Sequence, residues 1–153
     1  MTTAWRRLLA LGPADRRLLA EALLATLRAR FDLRLFPFAA LRKRMERSQA
    51  SRRASAQTPD RVAWAVAAVA RRLPGTTCLA QSLAAHALLR RRGYRPELHI
   101  GVRGRASAAA VPLDAHAWVE CDGRVVAGEM DDLAEYGRLV PVRPPASAAP
   151  SSS

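Results

Sequence analysis

Asp122-Gly123 stands between two alternating segments, Ala115–Cys121 and Arg124–Glu129. A two-residue Asp-Gly loop is a strong β-hairpin signal, because both residues accept the positive φ that a type I′ turn requires. The turn also dictates the register. Cys121 faces Arg124, and each step outward moves one residue back on the first strand and one forward on the second. His116 is then set opposite Glu129. Facing residues share one side of a sheet with Cβ atoms about 4.5–5.5 Å apart, so a carboxylate there is placed to orient an imidazole. A slip of one residue would turn Glu129 to the other face, leaving Asp131 and Asp132 as the next acids.

Upstream of the hairpin the periodicity is helical. Residues 14–31 follow Pro13 and carry Leu18, Leu19, Ala22, Leu23, Ala25 and Leu27 as a broad apolar stripe. A short helix is expected after Pro37, ending in the basic cluster Arg42-Lys43-Arg44. Residues 48–58 lack apolar periodicity and read as a linker. Asp60 is expected to cap a helix that runs to about Arg72 and breaks before Pro74-Gly75. Cys78 opens the next helix, which Gly93 stops. Glu97–Arg103 alternates like a strand, Gly104–Pro112 reads as a loop, and the Ala/Ser/Pro tail from Pro144 is expected to be disordered. Helices first and strands later predict an α+β fold. The divisions expected are an N-terminal helical region (1–47), the linker, a core (59–143) and the tail (144–153).

Cys78 is the residue with the clearest chemistry. The unpaired amides of a helix N-terminus favour negative charge, which suits a thiolate nucleophile. A cysteine with a distant histidine and an acid is the constellation of cysteine-dependent acyl transfer. Cys78, His116 and Glu129 are the candidate catalytic residues. Gln81 follows Cys78 by one turn and Trp118 shares the His116 side of its strand, so both are candidates to line the site. The Cys78 amide is the expected oxyanion donor. His86 lies eight residues along the helix from Cys78, roughly 12 Å away and too far for a hydrogen bond. His99, mid-strand between apolar residues, and Cys121, on the face opposite His116, are expected to pack.

Composition closes off several classes. No apolar run approaches the roughly 18 residues of a membrane span, and Met1–Ala10 has no secretion signal, so a cytoplasmic location is expected. The two cysteines are too few for a disulfide framework, and the three scattered histidines offer no metal spacing, so neither metal nor cofactor is expected. The net charge is +12; residues 106–153, with seven acids and three arginines, carry −4, which leaves +16 on the first 105. Such a surface invites anionic partners, although the near absence of lysine also fits an arginine- and alanine-rich coding bias.

Four segments in order give a resemblance: Pro74-Gly75-Thr76-Thr77-Cys78-Leu79-Ala80-Gln81-Ser82-Leu83-Ala84, Leu88-Leu89-Arg90-Arg91-Arg92-Gly93-Tyr94, Leu98-His99-Ile100-Gly101-Val102 and Ala115-His116-Ala117-Trp118-Val119-Glu120. Together with Asp15–Leu19 and Leu33–Phe38, they resemble the transglutaminase-like cysteine peptidases of lasso-peptide biosynthesis, the protease half of the maturation B protein when it is split into two chains. The resemblance implies a papain/transglutaminase-like core and removal of the leader from a ribosomally made precursor peptide. It makes Cys78 the nucleophile and His116 the base. The acid is usually aspartate in that family, and Glu129 is its nearest match here. It further implies a small leader-recognition protein as partner and a separate ATP-dependent lasso cyclase acting on the product.

Two rivals remain. On the same fold, the acyl-enzyme passes to an amine, as in transglutamination. In the other, the chain is a non-enzymatic basic protein that binds nucleic acid or an anionic membrane. A hairpin setting His116 against an acid has no purpose in that second rival, so nucleic acid is not expected as a partner. Membrane contact by the basic N-terminal helices stays open.

Overall fold

The computed structural model describes residues 10–47, 57–103, 114–129 and 133–142. Most of the expected linker, the 104–112 loop, Asp131, Asp132 and the tail fall outside these residues. Four helices, α1 (Pro13–Leu35), α2 (Phe38–Arg47), α3 (Pro59–Ala70) and α4 (Cys78–Arg91), precede the strands β1 (Glu97–Arg103), β2 (Asp114–Cys121), β3 (Arg124–Ala127) and β4 (Gly137–Val142), with a 3₁₀ turn at Leu133–Glu135. The α+β expectation holds. No helix among the described residues is long and apolar enough to cross a membrane.

Pro13 occupies the first turn of α1, where its missing N–H has no intrahelical use. The helix buries Leu18, Ala22, Thr26 and Ala29, whereas Leu23 and Leu27 of the expected stripe are exposed. The reason is steric. A face of mostly small residues lets α1 lie close against α3 and α4, and the Thr26 hydroxyl is satisfied by the Ala22 carbonyl at 2.8 Å. Each fully buried leucine, such as Leu18, Leu88 or Leu98, contributes about 1.5–3 kcal/mol by leaving water.

Polar ties reinforce this packing. Arg92 of the α4 C-cap donates to Glu21 of α1 at 2.7 Å, to Gln57 at 2.8 Å and to the Leu88 carbonyl at 3.2 Å. Burial alone would raise the Glu21 pKa, but the bonds and charges of Arg92 and Arg17 hold it below its ordinary 4.5. Thr58, not Asp60, caps α3, accepting the Arg61 N–H at 3.4 Å. Asp60 sits in the first turn and pairs instead with Arg124 beside the hairpin turn, 3.0 Å away. Gly93 (φ +88) ends α4 in a Schellman arrangement, with Gly93 N–H bonded to Arg90 O and Tyr94 N–H to Leu89 O.

The strands form one antiparallel sheet in the order β3-β2-β1-β4. Asp122 (φ +52) and Gly123 (φ +76) make the expected turn, and Cys121 faces Arg124. The expected register then fails. Val126 is an extra residue in β3, so Glu120 faces Val125 but Val119 faces Ala127. The ladder stops at Ala127. Glu129, displaced by one residue and lying past the end of β3, is not the partner of His116. Alternation splits the sheet into two faces: Leu98, Val119 and Cys121 join the helical core, while His116, Trp118 and Glu120 occupy the other side.

Candidate active site

Thr77 fixes the start of α4. Its side chain accepts the Ala80 N–H at 3.2 Å and its carbonyl accepts the Gln81 N–H at 3.0 Å. Among the described residues, the Cys78 and Leu79 amides are left without an acceptor, as first-turn amides are. The half-buried Cys78 is the first helical residue, so its thiol lies beside two free N–H donors.

Two contacts align α4 with the sheet. Ser82, one turn after Cys78 and fully buried, donates to the Ala117 carbonyl at 2.9 Å. His86, a further turn on, lies near the carbonyl of Pro96, the residue before Glu97, which pairs with Glu120 at the far end of β2. The helix therefore runs in the same sense as β2. Four residues of helix rise about 6 Å, which is close to two residues of strand. Cys78 is thus carried toward the Asp114 end of β2, on the helical side of the sheet, while His116 stands on its other face.

His116 is half-buried, and its Nε2 lies 2.7 Å from the Gly128 carbonyl. A carbonyl only accepts, so Nε2 holds the proton of the neutral ring and Nδ1 keeps the lone pair. That is the tautomer a thiol-deprotonating base needs when another group orients its far nitrogen. Gly128 is required at its position: its φ is +78, and a Cβ would come within 2.6 Å of the Ala117 oxygen and 3.0 Å of Trp118 Cα. The missing side chain lets the end of the hairpin press onto β2 and deliver its carbonyl to the imidazole. Among the described residues, no hydrogen bond joins His116 to Cys78 or to Glu129.

A family model described as the transglutaminase-like superfamily matches residues 23–141. The chain belongs to that superfamily. Searches of curated proteins and of solved structures found no match. Members of the transglutaminase-like superfamily are generally cysteine peptidases or acyl transferases, and both chemistries begin with a thiolate attacking a carbonyl. The match starts within α1 and takes in the C-terminal part of that helix.

The remaining candidates divide. Gln81 is half-buried on the first turn, and its side chain makes no hydrogen bond among the described residues. Trp118 is 1% exposed and offers no surface to a substrate. Its indole stacks on His116 at 6.3 Å and on His99 at 5.5 Å, and its N–H donates to Glu120 at 2.9 Å. Glu129 is exposed, next to the glycine whose carbonyl holds the histidine. Cys121 is buried, and burial with the neighbouring Asp122 charge pushes its thiol up to about 11, the state of an inert packed cysteine. Burial and the Arg90 charge lower His86 to about 3, so it stays neutral. His99 lies 3.3 Å from Glu120, with Glu97 at 3.6 Å. Among the described residues, no cluster of three His, Cys, Asp or Glu side chains is placed to hold a metal.

Three contributors escaped the sequence reading. Tyr136 packs its ring against His116 at 5.7 Å, with the Arg103 guanidinium 5.0 Å from it. Gly101, opposite His116, makes room for Tyr136 and the Trp118 ring, since a Cβ would meet Tyr136 Cβ at 2.8 Å and the Trp118 indole at 2.9 Å. A glycine inside an alternating strand was the available signal for that close approach. Ser82 resembled an ordinary helix serine, and nothing local marks it as the anchor to β2.

Proposed function

We propose that the chain is a cysteine endopeptidase that removes the leader from a ribosomally synthesised lasso-peptide precursor. The observation that most supports this is the bond from His116 Nε2 to the Gly128 carbonyl, which leaves Nδ1 as the basic nitrogen. In this reading the carbonyl, not the Glu129 carboxylate, is the group that orients the base. Nδ1 of His116 takes the Cys78 proton and the thiolate adds to the scissile carbonyl. The developing oxyanion accepts hydrogen bonds from the Cys78 and Leu79 amides. The C–N bond breaks as His116 returns the proton to the leaving amine. His116 then deprotonates a water that hydrolyses the thioester and frees Cys78. Gln81 lines the entry side. A leader-recognition protein presents the precursor, and a lasso cyclase takes the released peptide.

Intact-mass analysis after a thiol alkylator near neutral pH tests the pair, with cleavage of a candidate precursor as the second readout. The expected result is one fast label, lost in Cys78→Ala and slowed in His116→Ala, with no precursor cleavage by either variant. Full cleavage by Cys78→Ala would end the proposal. A product enlarged by an added amine would assign acyl transfer instead.

A further inference from the structure

Between α1, α2 and α4, remote from the first turn of α4, lies a groove of about 620 Å³. Leu41, Leu83 and Leu88 give it an apolar floor, while Arg28, Arg44, Arg90 and Arg91 stand around it against a single acid, Asp32. Asp32 is taken up by Arg28 at 3.6 Å. Among the described residues, Arg44, Arg90 and Arg91 have no carboxylate partner.

Two lining side chains are buried with polar atoms unsatisfied. Arg90 is 5% exposed and its Nε–H has no acceptor; His86 is 2% exposed and its Nε2 has no donor. Buried groups of this kind normally have partners, and leaving one unmade costs stability. The groove also continues outward. Leu24, on its rim, begins a line of exposed apolar side chains along α1 through Leu27, Phe31 and Leu35, with Leu24 68% and Phe31 62% exposed. Helical spacing puts these four on one face.

We infer that this groove and the α1 stripe form a docking site for an acidic amphipathic helix of a partner protein. Its apolar face covers Leu24, Phe31 and the leucine floor, and its carboxylates pair with Arg90 and Arg91. Helix-in-groove recognition uses this combination of spaced apolar anchors and flanking charge, and the arginine fork matches a carboxylate in two hydrogen bonds. A lipid surface is the poorer fit. It would meet the convex α1 stripe but leave the buried Arg90 Nε–H inside the concave groove without an acceptor. The site is independent of Cys78, so its test stands apart from the peptidase reading.

The test is fluorescence anisotropy with the full-length chain and two labelled helical peptides, each with leucines on one face and either glutamates or lysines on the other. The glutamate peptide is expected to bind at least about tenfold more tightly than the lysine peptide, equivalent to about 1.4 kcal/mol. Arg91→Gln and Leu24→Ser, both at exposed positions, should each weaken it about threefold to tenfold without changing the melting temperature. Arg90→Gln should weaken it further. Equal binding of the two peptides, or no effect of Arg91→Gln and Leu24→Ser, overturns the inference. So does displacement of the peptide by phosphatidylglycerol vesicles with the same residue dependence, which would assign a membrane. Concentration-dependent dimerisation abolished by those two substitutions would assign a second copy and overturn it equally.

Discussion

Gly128→Ala is the substitution that most directly tests how the hairpin positions His116. Two costs combine. Holding a residue with a Cβ at φ +78 costs about 1–2 kcal/mol. The new methyl would also sit 2.6 Å from the Ala117 oxygen and 3.0 Å from Trp118 Cα; both are backbone atoms, so β2 itself must give way, adding about 1–3 kcal/mol. A total of about 2–5 kcal/mol, at about 2–4 °C per kcal/mol for a chain of this size, lowers the melting temperature by on the order of 10 °C. Gly123→Ala is the internal control. Its φ of +76 is almost the same, but nothing lies within 4 Å of its added Cβ, so only the conformational cost applies. Thermal melts of both variants, paired with the rate of Cys78 alkylation, separate the two effects. Gly128→Ala should be the less stable, and it alone should alkylate more slowly, because its carbonyl no longer reaches Nε2. Equal melting of the two variants with wild-type alkylation in both would refute the reasoning.

Ser82→Ala removes the donor to the Ala117 carbonyl inside a dry contact and should cost about 1–2 kcal/mol; a melt unchanged within about 1 °C would show that the anchor contributes nothing. Acid sensitivity follows from Glu21, whose pKa is lowered in the folded chain. A lowered carboxylate adds stability that is complete above its unfolded value near 4.5 and is lost as pH falls through the folded value. Glu21→Gln should therefore melt below wild type near pH 7, with the gap closing on acidification; a gap constant with pH would contradict this.

The helices and the turn were legible because their signals are local. Pro74-Gly75 and the hydroxyl of Thr77 mark the start of α4, and Asp122-Gly123 marks the loop of the hairpin. The bulge was not legible. Val125 and Val126 look alike in sequence, and only the packing of Val126 and Ala127 against the core decides that both are buried. That one residue separates a Glu129 register from a Gly128 carbonyl contact. β4 was missed because Pro141 interrupts it, yet a proline is tolerated on an edge strand, where one side of the backbone has no ladder to complete. On α1, leucines occur all round the helix, so hydropathy did not show that the small residues face inward.

The three bonds of Arg92 bear on how the chain can be divided. Its side chain is 9% exposed at the end of α4, and its carboxylate partner comes from α1, far upstream in sequence. Residues 59–143 expressed alone would keep this cation in place while removing both Glu21 and Gln57. A core trimmed at the sequence boundary would thus lose the ion pair that ties α4 to α1 and bare the apolar faces of α3 and α4 that α1 covers. The smallest unit expected to fold independently begins at α1, and a search for a minimal catalytic fragment should trim from the tail instead.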